Sequence, residues 1–332
     1  MKHVFFVHST ITSIIAEAII EHENILIKDV IIILDREAVI DNKFLSFKWQ
    51  FTSPPDQFPA HFNITKSFKK LWLFDRYIKE ITYNDSFYLY VPQTGIKSIQ
   101  LLISNSKCLG YSIMEEGLGS YKHKNIIDSK NYKIGFYVRI AYLFRIKNKN
   151  PMMDGYKKLY AISSKAFPGY NNLIVLNPNF QYNSIKLKYK YDNSIIWIFD
   201  AISIYNITKI QFHIGGILKL LKYFEEKRYN KIYFKLHPAQ LGRNEDEYFR
   251  KMLSVDNKIL FEEIPYSVPI ESIAKSNNNI KFFVNISSIG FYANLFGNEV
   301  YSYANYIAEF DSNYNEYLES FPQVFRESVI FL

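Results

Sequence analysis

Residues 195–238 read IIWIFDAISIYNITKIQFHIGGILKLLKYFEEKRYNKIYFKLHP. The apolar run 195–199 predicts a buried strand, residues 214–228 have helical spacing, and the apolar run 231–236 predicts a second strand. The same alternation continues down the chain, with helices predicted at Glu245–Leu253 and Ile270–Ser276 and strands at Ile259–Glu262 and Lys281–Ile286. Strands that alternate with helices form βαβ units, so this half of the chain predicts an α/β fold with a parallel sheet.

The first half of the chain shows the same pattern. Strands are predicted at His3–His8, at Val30–Leu34, at Phe87–Val91 and before Met114, with helices up to about Glu23 and over Ile96–Ser104. Residues 147–193 are rich in Lys, Asn and Tyr, have few periodic segments, and are interpreted as the end of one domain and the crossover to the next. We therefore expect two Rossmann-like domains, 1–190 and 191–312, whose parallel sheets face a central cleft, and a C-terminal segment, 313–332.

Length and composition narrow the class of protein. A chain of 332 residues with 48% hydrophobic and 17% aromatic residues is globular and fits two domains. Cys108 is the only cysteine, which excludes an intramolecular disulfide and fits a reducing cytoplasm. The apolar run Val4–Val7 is too short for a signal peptide, and no run of 18 apolar residues occurs, so we expect a bacterial cytoplasmic protein that does not span the membrane.

The net charge of +8 favours an anionic partner, such as a nucleotide sugar, a nucleic acid or an acidic membrane face. Arginine-rich blocks and nucleic-acid-binding motifs are absent from the sequence, so a nucleic-acid partner is not expected. The basic balance is compatible with peripheral contact with the anionic inner leaflet, although no polybasic amphipathic helix is evident in the sequence.

Two motifs in the second half could bind a phosphate. His237-Pro238 directly follows a predicted strand, so the imidazole is expected at the strand's carboxyl end; the alternative is a histidine that only rigidifies a loop. Ser287-Ser288 follows another strand and precedes a helix predicted from Phe291, where hydroxyls and backbone N–H groups can bind an anion; one serine could equally be a simple N-cap.

Carboxylates occur in two further motifs. Glu115-Glu116-Gly117 follows the strand that ends at Met114, and one of the two acids could act as a general base; the alternative is an exposed acidic turn. In Pro269-Ile270-Glu271 the carboxylate could bind ribose hydroxyls, but a first-turn glutamate favoured by the helix dipole explains it as well.

Several well-known catalytic motifs are missing from the sequence. It contains no Asp-x-Asp, no paired histidines at metal-ligand spacing, no Gly-x-Ser-x-Gly and no Walker motif. A leaving group with a single phosphate carries less charge than a diphosphate and can be stabilised by His, Ser and backbone donors. We therefore expect group transfer from a monophosphate donor with neither a metal nor a cofactor.

The order Glu-Glu-Gly, Lys-x-His-Pro, Pro-x-Glu and Ser-Ser resembles the bacterial sialyltransferases of GT-B fold, especially the lipooligosaccharide sialyltransferase and capsular polysialyltransferase group. The likeness extends to Leu159-Tyr160-Ala161 and Phe167-Pro168 and covers most of the chain. It implies an inverting, metal-independent transfer of sialic acid from CMP-sialic acid to a hydroxyl of galactose or sialic acid in lipopolysaccharide or capsule, on an acceptor that can be lipid-linked. It also implies that residues 313–325 form a last helix crossing back to the first domain.

The resemblance assigns roles to individual residues. Glu116 would be the base, with Glu115 orienting it or exchanging roles with it, and Gly117, His8 and Thr10 would line the acceptor side, although a satisfied loop histidine explains His8 as well. On the donor side the resemblance implies CMP binding by His237, Pro238, Lys235, Glu271, Ser287 and Ser288. His237 would also act as acid or electrostatic stabiliser, and Lys235 would add positive charge or would simply end a strand in solvent.

Two other functions stay open at this point. The chain could be a GT-B transferase that uses CMP-Kdo or a UDP- or GDP-sugar, or a basic protein that binds anionic glycans without catalysis. Nucleotide binding separates the two transferase hypotheses from the third.

Overall fold

The computed structural model describes residues 1–35, 38–51, 64–129, 136–146, 152, 154–177, 190–254 and 258–332. The chain divides into two compact units, Met1–Ile185 and Lys186–Leu332. This division falls within five residues of the predicted boundary at 190/191, although residues 178–189 themselves lie outside the described ranges.

The first unit is built on a seven-stranded sheet. Its strands are β1 Lys2–Val7, β2 Val30–Leu34, β3 Leu45–Lys48, β4 Phe87–Val91, β5 Cys108–Met114, β6 Leu159–Ala161 and β7 Leu173–Val175. They lie in the order β3-β2-β1-β4-β5-β6-β7, and every pair is parallel. The central strands consist of buried apolar residues, as expected for a parallel sheet covered on both faces.

Helices connect these strands. They are α1 Thr10–His22, α2 Ile64–Ile81, α3 Lys97–Ile103, α4 Lys124–Ser129 and α5 Phe136–Ala141. A reciprocal cap starts α1: the Ser9 hydroxyl accepts from the Thr12 N–H, and the Thr12 hydroxyl accepts from the Ser9 N–H at 2.9 Å. Because both ends of the cap are fixed, the turn after β1 is fixed as well.

The second unit contains a six-stranded sheet. Its strands are β8 Ile195–Ile198, β9 Lys231–Lys235, β10 Leu260–Glu263, β11 Lys281–Val284, β12 Glu299–Ser302 and β13 Ile330–Phe331. The order β10-β9-β8-β11-β12-β13, with all pairs parallel, is the Rossmann order 3-2-1-4-5-6. The chain changes direction across the sheet between β8 and β11, and this switch point is where open α/β sheets bind their ligands.

Seven α-helices are described in this unit. They are α6 Ile210–Glu226, α7 Asn244–Ser254, α8 Ile270–Ser276, α9 Ser288–Leu295, α10 Ala304–Ala308, α11 Asn313–Glu319 and α12 Gln323–Ser328. The Gly215-Gly216 pair lies inside α6, where a Cβ on Gly216 would come within 2.4 Å of Ile307 in α10. The pair therefore serves close helix packing and does not form a phosphate loop.

The C-terminal segment 313–332 is an integral part of the second unit, although its sequence predicts a separate segment. It contains two helices because Pro322 ends the run predicted at 313–325 and caps α12. Tyr314 in α11 donates a hydrogen bond to Asn285 Oδ1 at 2.9 Å, and β13 completes the sheet beside β12. A return of this segment to the first domain stays a prediction.

Candidate functional site

Three chemically important residues of the second unit lie at the carboxyl edge of its sheet. Asp200 follows β8 by two residues, His237 follows β9 by two, and Ser287 follows β11 by three. Since β9, β8 and β11 are neighbours in the sheet, these residues surround the switch point. His237 and Ser287 were predicted from the sequence, whereas Asp200 was not.

His237 is held as a hydrogen-bond donor. Its Nδ1 accepts from the Ala239 N–H at 3.1 Å, so in the neutral imidazole the proton is on Nε2. Burial lowers the pKa of His237 below its usual value, which favours that neutral form. The ring also packs edge-on against Tyr205, with ring centroids 6.0 Å apart. The half-buried imidazole thus offers an N–H to a ligand, and Pro238 starts the 3-10 turn that fixes its direction.

The two serines begin α9, three residues earlier than the predicted helix start. Ser287 is the N-cap and Ser288 the first helical residue, and neither hydroxyl has a hydrogen-bond partner among the described residues. Ser287 is therefore an N-cap by position without making the usual capping bond. Two half-buried hydroxyls and the first N–H groups of an eight-residue helix are thus available to an anion.

Asp200 joins the two motifs. Its Oδ2 accepts from the Ile286 N–H at 3.1 Å, immediately before the serines, and its main-chain oxygen accepts from Gln240 Nε2 at 3.1 Å. The Gln240 side-chain oxygen accepts in turn from the His237 N–H at 2.8 Å. This network fixes the backbone of His237 relative to that of the serine loop. Asp200 could be recognised in the sequence as an aspartate directly after a predicted strand.

The carboxyl group of Asp200 titrates near neutrality. Burial raises its pKa from 3.8 to about 7, although the Ile286 and Asn285 N–H groups oppose the shift. The native state therefore binds this proton more tightly than the unfolded chain does. As a result, the contribution of Asp200 to the free energy of unfolding falls as the pH rises from about 4 to about 7 and is constant above that range.

The side chain of the Asp200→Asn variant cannot titrate. We therefore expect the free energy of unfolding of the wild type to fall relative to that of the variant as the pH rises from about 4 to about 7. The slope approaches about 1.4 kcal/mol per pH unit where the two pKa values are well separated. Urea unfolding from about pH 5 to about pH 8 measures it. A difference that does not vary with pH would contradict the neutral-range titration.

Lys235, the last residue of β9, is hydrogen-bonded within the second unit, and the donor-side role that the resemblance implies stays a prediction. Its ammonium group donates to the carbonyls of Pro265 at 3.3 Å and Tyr266 at 3.0 Å, and to that of Val268. These three bonds occupy all three N–H donors of the ammonium group. Burial lowers the pKa of Lys235 to about 8. Lys235 thus fixes the loop that leads into α8.

Glu271 lies in the first turn of α8. Its side chain is half-buried, and this burial raises the pKa of its carboxyl group, while the nearby Lys235 charge opposes the rise. The Lys-x-His-Pro and Pro-x-Glu motifs are therefore coupled, because the loop held by Lys235 positions Glu271.

In the first unit, the two adjacent glutamates occupy different environments. Glu115 is completely buried, and its carboxylate accepts from the Tyr121 hydroxyl at 2.5 Å and from the Ile162 N–H at 2.8 Å. Both of its oxygens are thus engaged in joining the strand end of β5 to the residues that follow β5 and β6. These contacts hold the turn after β5 in place, and a catalytic role of Glu115 stays a prediction.

Glu116 is the accessible member of the pair. Its side chain is 23% exposed, and its Oε2 lies 3.5 Å from His8 Nε2, directly after β1. The Ser120 hydroxyl accepts from its N–H at 3.1 Å. The next residue, Gly117, has φ 142°, a conformation that glycine alone adopts readily, and it lets the chain turn into the 3-10 helix Leu118–Tyr121.

The remaining motifs of the first unit surround this turn. The Glu115 N–H donates to the Tyr160 carbonyl at 2.9 Å, and the Phe167 N–H donates to the Ser120 carbonyl at 2.7 Å. The Leu-Tyr-Ala and Phe-Pro motifs therefore lie beside the Glu-Glu-Gly motif. Thr10 is the half-buried first residue of α1, two residues from His8, so it also lies at this edge.

Within the described ranges, no cluster of three or more His, Cys, Asp or Glu side chains could hold a metal ion. Metal independence stays a prediction. No family model matches the sequence, and no curated protein matches it.

Solved structures do resemble the chain. A Listeria monocytogenes protein described as a UDP-N-acetylglucosamine 2-epimerase has a TM-score of 0.52 and 10% identity, over 99% of this chain and 89% of that one. The fold is of the GT-B type. The UDP-GlcNAc 2-epimerase of Methanocaldococcus jannaschii (TM-score 0.48, 13% identity, 100% of this chain and 89% of that one) and Acinetobacter baumannii MurG (0.37, 10%, 99% and 93%) are more distant in structure. At these identities the likeness shows the fold alone.

Proposed function

We propose that this chain is an inverting, metal-independent glycosyltransferase that moves sialic acid from CMP-sialic acid to a hydroxyl of a bacterial surface glycan. The observation that carries the proposal is the donor state of His237, whose Nδ1 accepts a backbone N–H and whose Nε2 keeps the proton. A neutral imidazole donor and two serine hydroxyls at the same edge of the sheet suit the single phosphate of a CMP leaving group.

The donor side of the proposal lies in the second unit. The hydroxyls of Ser287 and Ser288 and the first N–H groups of α9 bind the phosphate oxygens, and His237 donates to the oxygen that becomes the leaving group. Glu271 binds the cytidine ribose, on the loop held by Lys235. The choice of CMP-sialic acid over other donors rests on the resemblance of the four motifs to the sialyltransferases.

The acceptor side lies in the first unit, where Glu116 is the general base. Its carboxylate is exposed enough to reach a hydroxyl, while Glu115 is fully engaged in the protein interior. His8, 3.5 Å away, helps to orient the Glu116 carboxylate. Gly117 and Thr10 border the acceptor.

Transfer forms one bond to the anomeric carbon, breaks another and moves one proton. The acceptor O–H proton passes to Glu116 while the acceptor oxygen bonds to the anomeric carbon of sialic acid. The bond from that carbon to the CMP phosphate breaks, and the phosphate oxygen takes the electron pair and a hydrogen bond from His237 Nε2. Attack opposite the leaving group inverts the anomeric centre.

Replacing the serines tests the donor site. We expect Ser287→Ala and Ser288→Ala each to weaken CMP binding by about 1.5–3 kcal/mol, as for a hydrogen bond to a charged group, with little effect on unliganded stability because neither hydroxyl has a partner. Calorimetry with CMP measures the loss. Ser312 is the matched control, since it is also an N-cap without a capping bond. Unchanged CMP affinity in both site variants would contradict the site.

A nucleotide panel tests the choice of donor. In thermal-shift experiments without divalent ions, CMP should raise the melting temperature more than UDP or GDP does, because only a ligand of the native state stabilises it. A stronger effect of UDP or GDP would favour the other GT-B transferase hypothesis. Binding of glycan without any nucleotide would favour the non-catalytic hypothesis.

A further inference from the structure

The first unit carries an exposed face in which large apolar and basic side chains alternate. Its apolar members, between 41% and 63% exposed, are Phe68, Trp72 and Leu73 of α2 and Phe136, Leu143 and Phe144 in and just after α5. Its exposed cations are Lys69, Lys70, Arg76, Lys79 and Arg139. We call these eleven residues the aromatic-basic face.

The face is not needed for the packing of α2. The opposite side of that helix buries Leu71, Phe74, Tyr77, Ile78 and Ile81 in the core. Phe68, Trp72 and Leu73 lie outside this buried set, and six large exposed apolar side chains in two adjacent elements are more than scattered surface residues.

Fixed contacts hold the two elements together. The Arg145 guanidinium donates to both carboxylate oxygens of Asp75 in α2, at 2.7 and 3.0 Å, and to the Leu101 carbonyl at 2.8 Å. The turn before Arg145 places Leu143 and Phe144 at φ 52° and 58°, which bulky residues rarely adopt. The turn thus keeps two large apolar side chains at the surface.

The net charge of the face is positive, because two of its ion pairs are neutral and Lys69, Lys70, Lys79 and Arg139 add four positive charges. Asp75 is paired with Arg145, and Glu80, the other acid of α2, is paired with Arg76 at 2.8 Å. Cations also lie over the rings: Arg76 is 5.7 Å from the Trp72 ring centroid and Arg139 is 5.6 Å from that of Phe144.

We propose that the aromatic-basic face docks on the surface of an anionic phospholipid bilayer. Tryptophan and phenylalanine settle at the boundary between headgroups and acyl chains, and lysine and arginine bind the anionic headgroups. A protein partner fits less well, because lysine is depleted at protein–protein interfaces. No described helix is both long and apolar enough to cross a bilayer, and docking needs none. This inference is independent of the donor and acceptor chemistry.

Trp72 reports the docking directly. The chain has three tryptophans, and Trp49 and Trp197 are 4% and 0% exposed, whereas Trp72 is 59% exposed. Adding vesicles of phosphatidylcholine with about one-third phosphatidylglycerol should shift the emission of Trp72 to the blue, and brominated acyl chains should quench it. The Trp72→Phe variant should lose both the blue shift and the quenching, but it should still sediment with the vesicles.

Variants separate the contribution of the basic side chains to vesicle binding from that of the apolar side chains. Lys69→Glu with Lys70→Glu, and separately Trp72→Ser with Phe144→Ser, should each weaken sedimentation with anionic vesicles by about tenfold or more. The matched controls lie in and directly after α6 of the second unit: Lys222→Glu with Lys227→Glu, and Leu218→Ser, which replaces a leucine that is 53% exposed. These variants should bind as the wild type does. Circular dichroism and melting temperature confirm that each variant is folded.

Three results would overturn the proposal: no sedimentation with anionic vesicles, equal sedimentation with pure phosphatidylcholine, or a vesicle-independent dimer that Trp72→Ser dissociates in light scattering. The last result would assign the face to a second copy of the chain. No nucleotide or sugar is present in any arm, so these outcomes do not depend on transferase activity.

Discussion

Glu116→Gln should lower the turnover number for sialyl transfer by about 10²–10⁴-fold while leaving CMP affinity and the free energy of unfolding close to their wild-type values. The amide has nearly the same shape as the carboxylate but cannot take the acceptor proton. Because the Glu116 side chain is 23% exposed, its ion pair with His8 is screened by solvent, and loss of the charge should cost little stability. Steady-state kinetics with CMP titration and urea unfolding measure the three quantities.

The neighbouring residue supplies a matched control. Glu115→Gln puts an amide N–H against either the Tyr121 hydroxyl or the Ile162 N–H in a fully buried site. We expect it to lower the free energy of unfolding by about 1–3 kcal/mol. If Glu115→Gln abolished transfer in a stably folded protein while Glu116→Gln stayed active, the two roles would be reversed.

His237→Ala should reduce kcat/KM by about 10²–10³-fold, the usual cost of removing a donor to a developing negative charge. It also removes the acceptor of the Ala239 N–H, a capping bond whose loss costs about 1 kcal/mol of stability. His237→Gln, which can again place an N–H near the position of Nε2, should retain more activity than the alanine variant. Comparing kcat/KM with stability for both variants separates catalysis from capping.

Equal losses for alanine and glutamine, matched by equal losses of stability, would show that His237 only rigidifies its loop. In that case Ser287 and Ser288 could still bind the phosphate, but no residue would be assigned to donate a hydrogen bond to the leaving group.

The central strands were predictable because parallel strands buried on both faces are continuous apolar runs. Val30–Leu34 and Phe87–Val91 were predicted residue for residue, and β1, β5, β8, β9, β10 and β11 were predicted within about two residues. The short outer strands were missed. β6 and β7 have three residues each, too few for any periodicity, and they lie in the Lys-, Asn- and Tyr-rich stretch interpreted as a crossover.

The aromatic-basic face shows a second limit. The sequence offered no evident polybasic amphipathic helix, yet α2 is amphipathic and carries several lysines on its exposed side. Phe68, Trp72 and Leu73 obscure the pattern because they place large apolar residues on the exposed side as well.

At the candidate site, the sequence located the strand ends but not the direction of their side chains. It left open which of Glu115 and Glu116 is the base. The folded chain shows that the two carboxylates lie in different environments, and the assignment of the base to Glu116 is our proposal. Asp200 could have been found, since it follows a predicted strand at the switch point of a Rossmann order. Lys235 donates its hydrogen bonds to carbonyls about thirty residues away along the chain, in Pro265, Tyr266 and Val268. No local pattern in the sequence reveals contacts at that separation.

The most direct test is incubation of the full chain with CMP-sialic acid and a panel of galactose- and sialic acid-terminated acceptors in the presence of EDTA. We predict that CMP is released only when an acceptor is present and that the product carries sialic acid with an inverted anomeric configuration. No CMP release with any acceptor, together with no binding of CMP in calorimetry, would contradict the central claim.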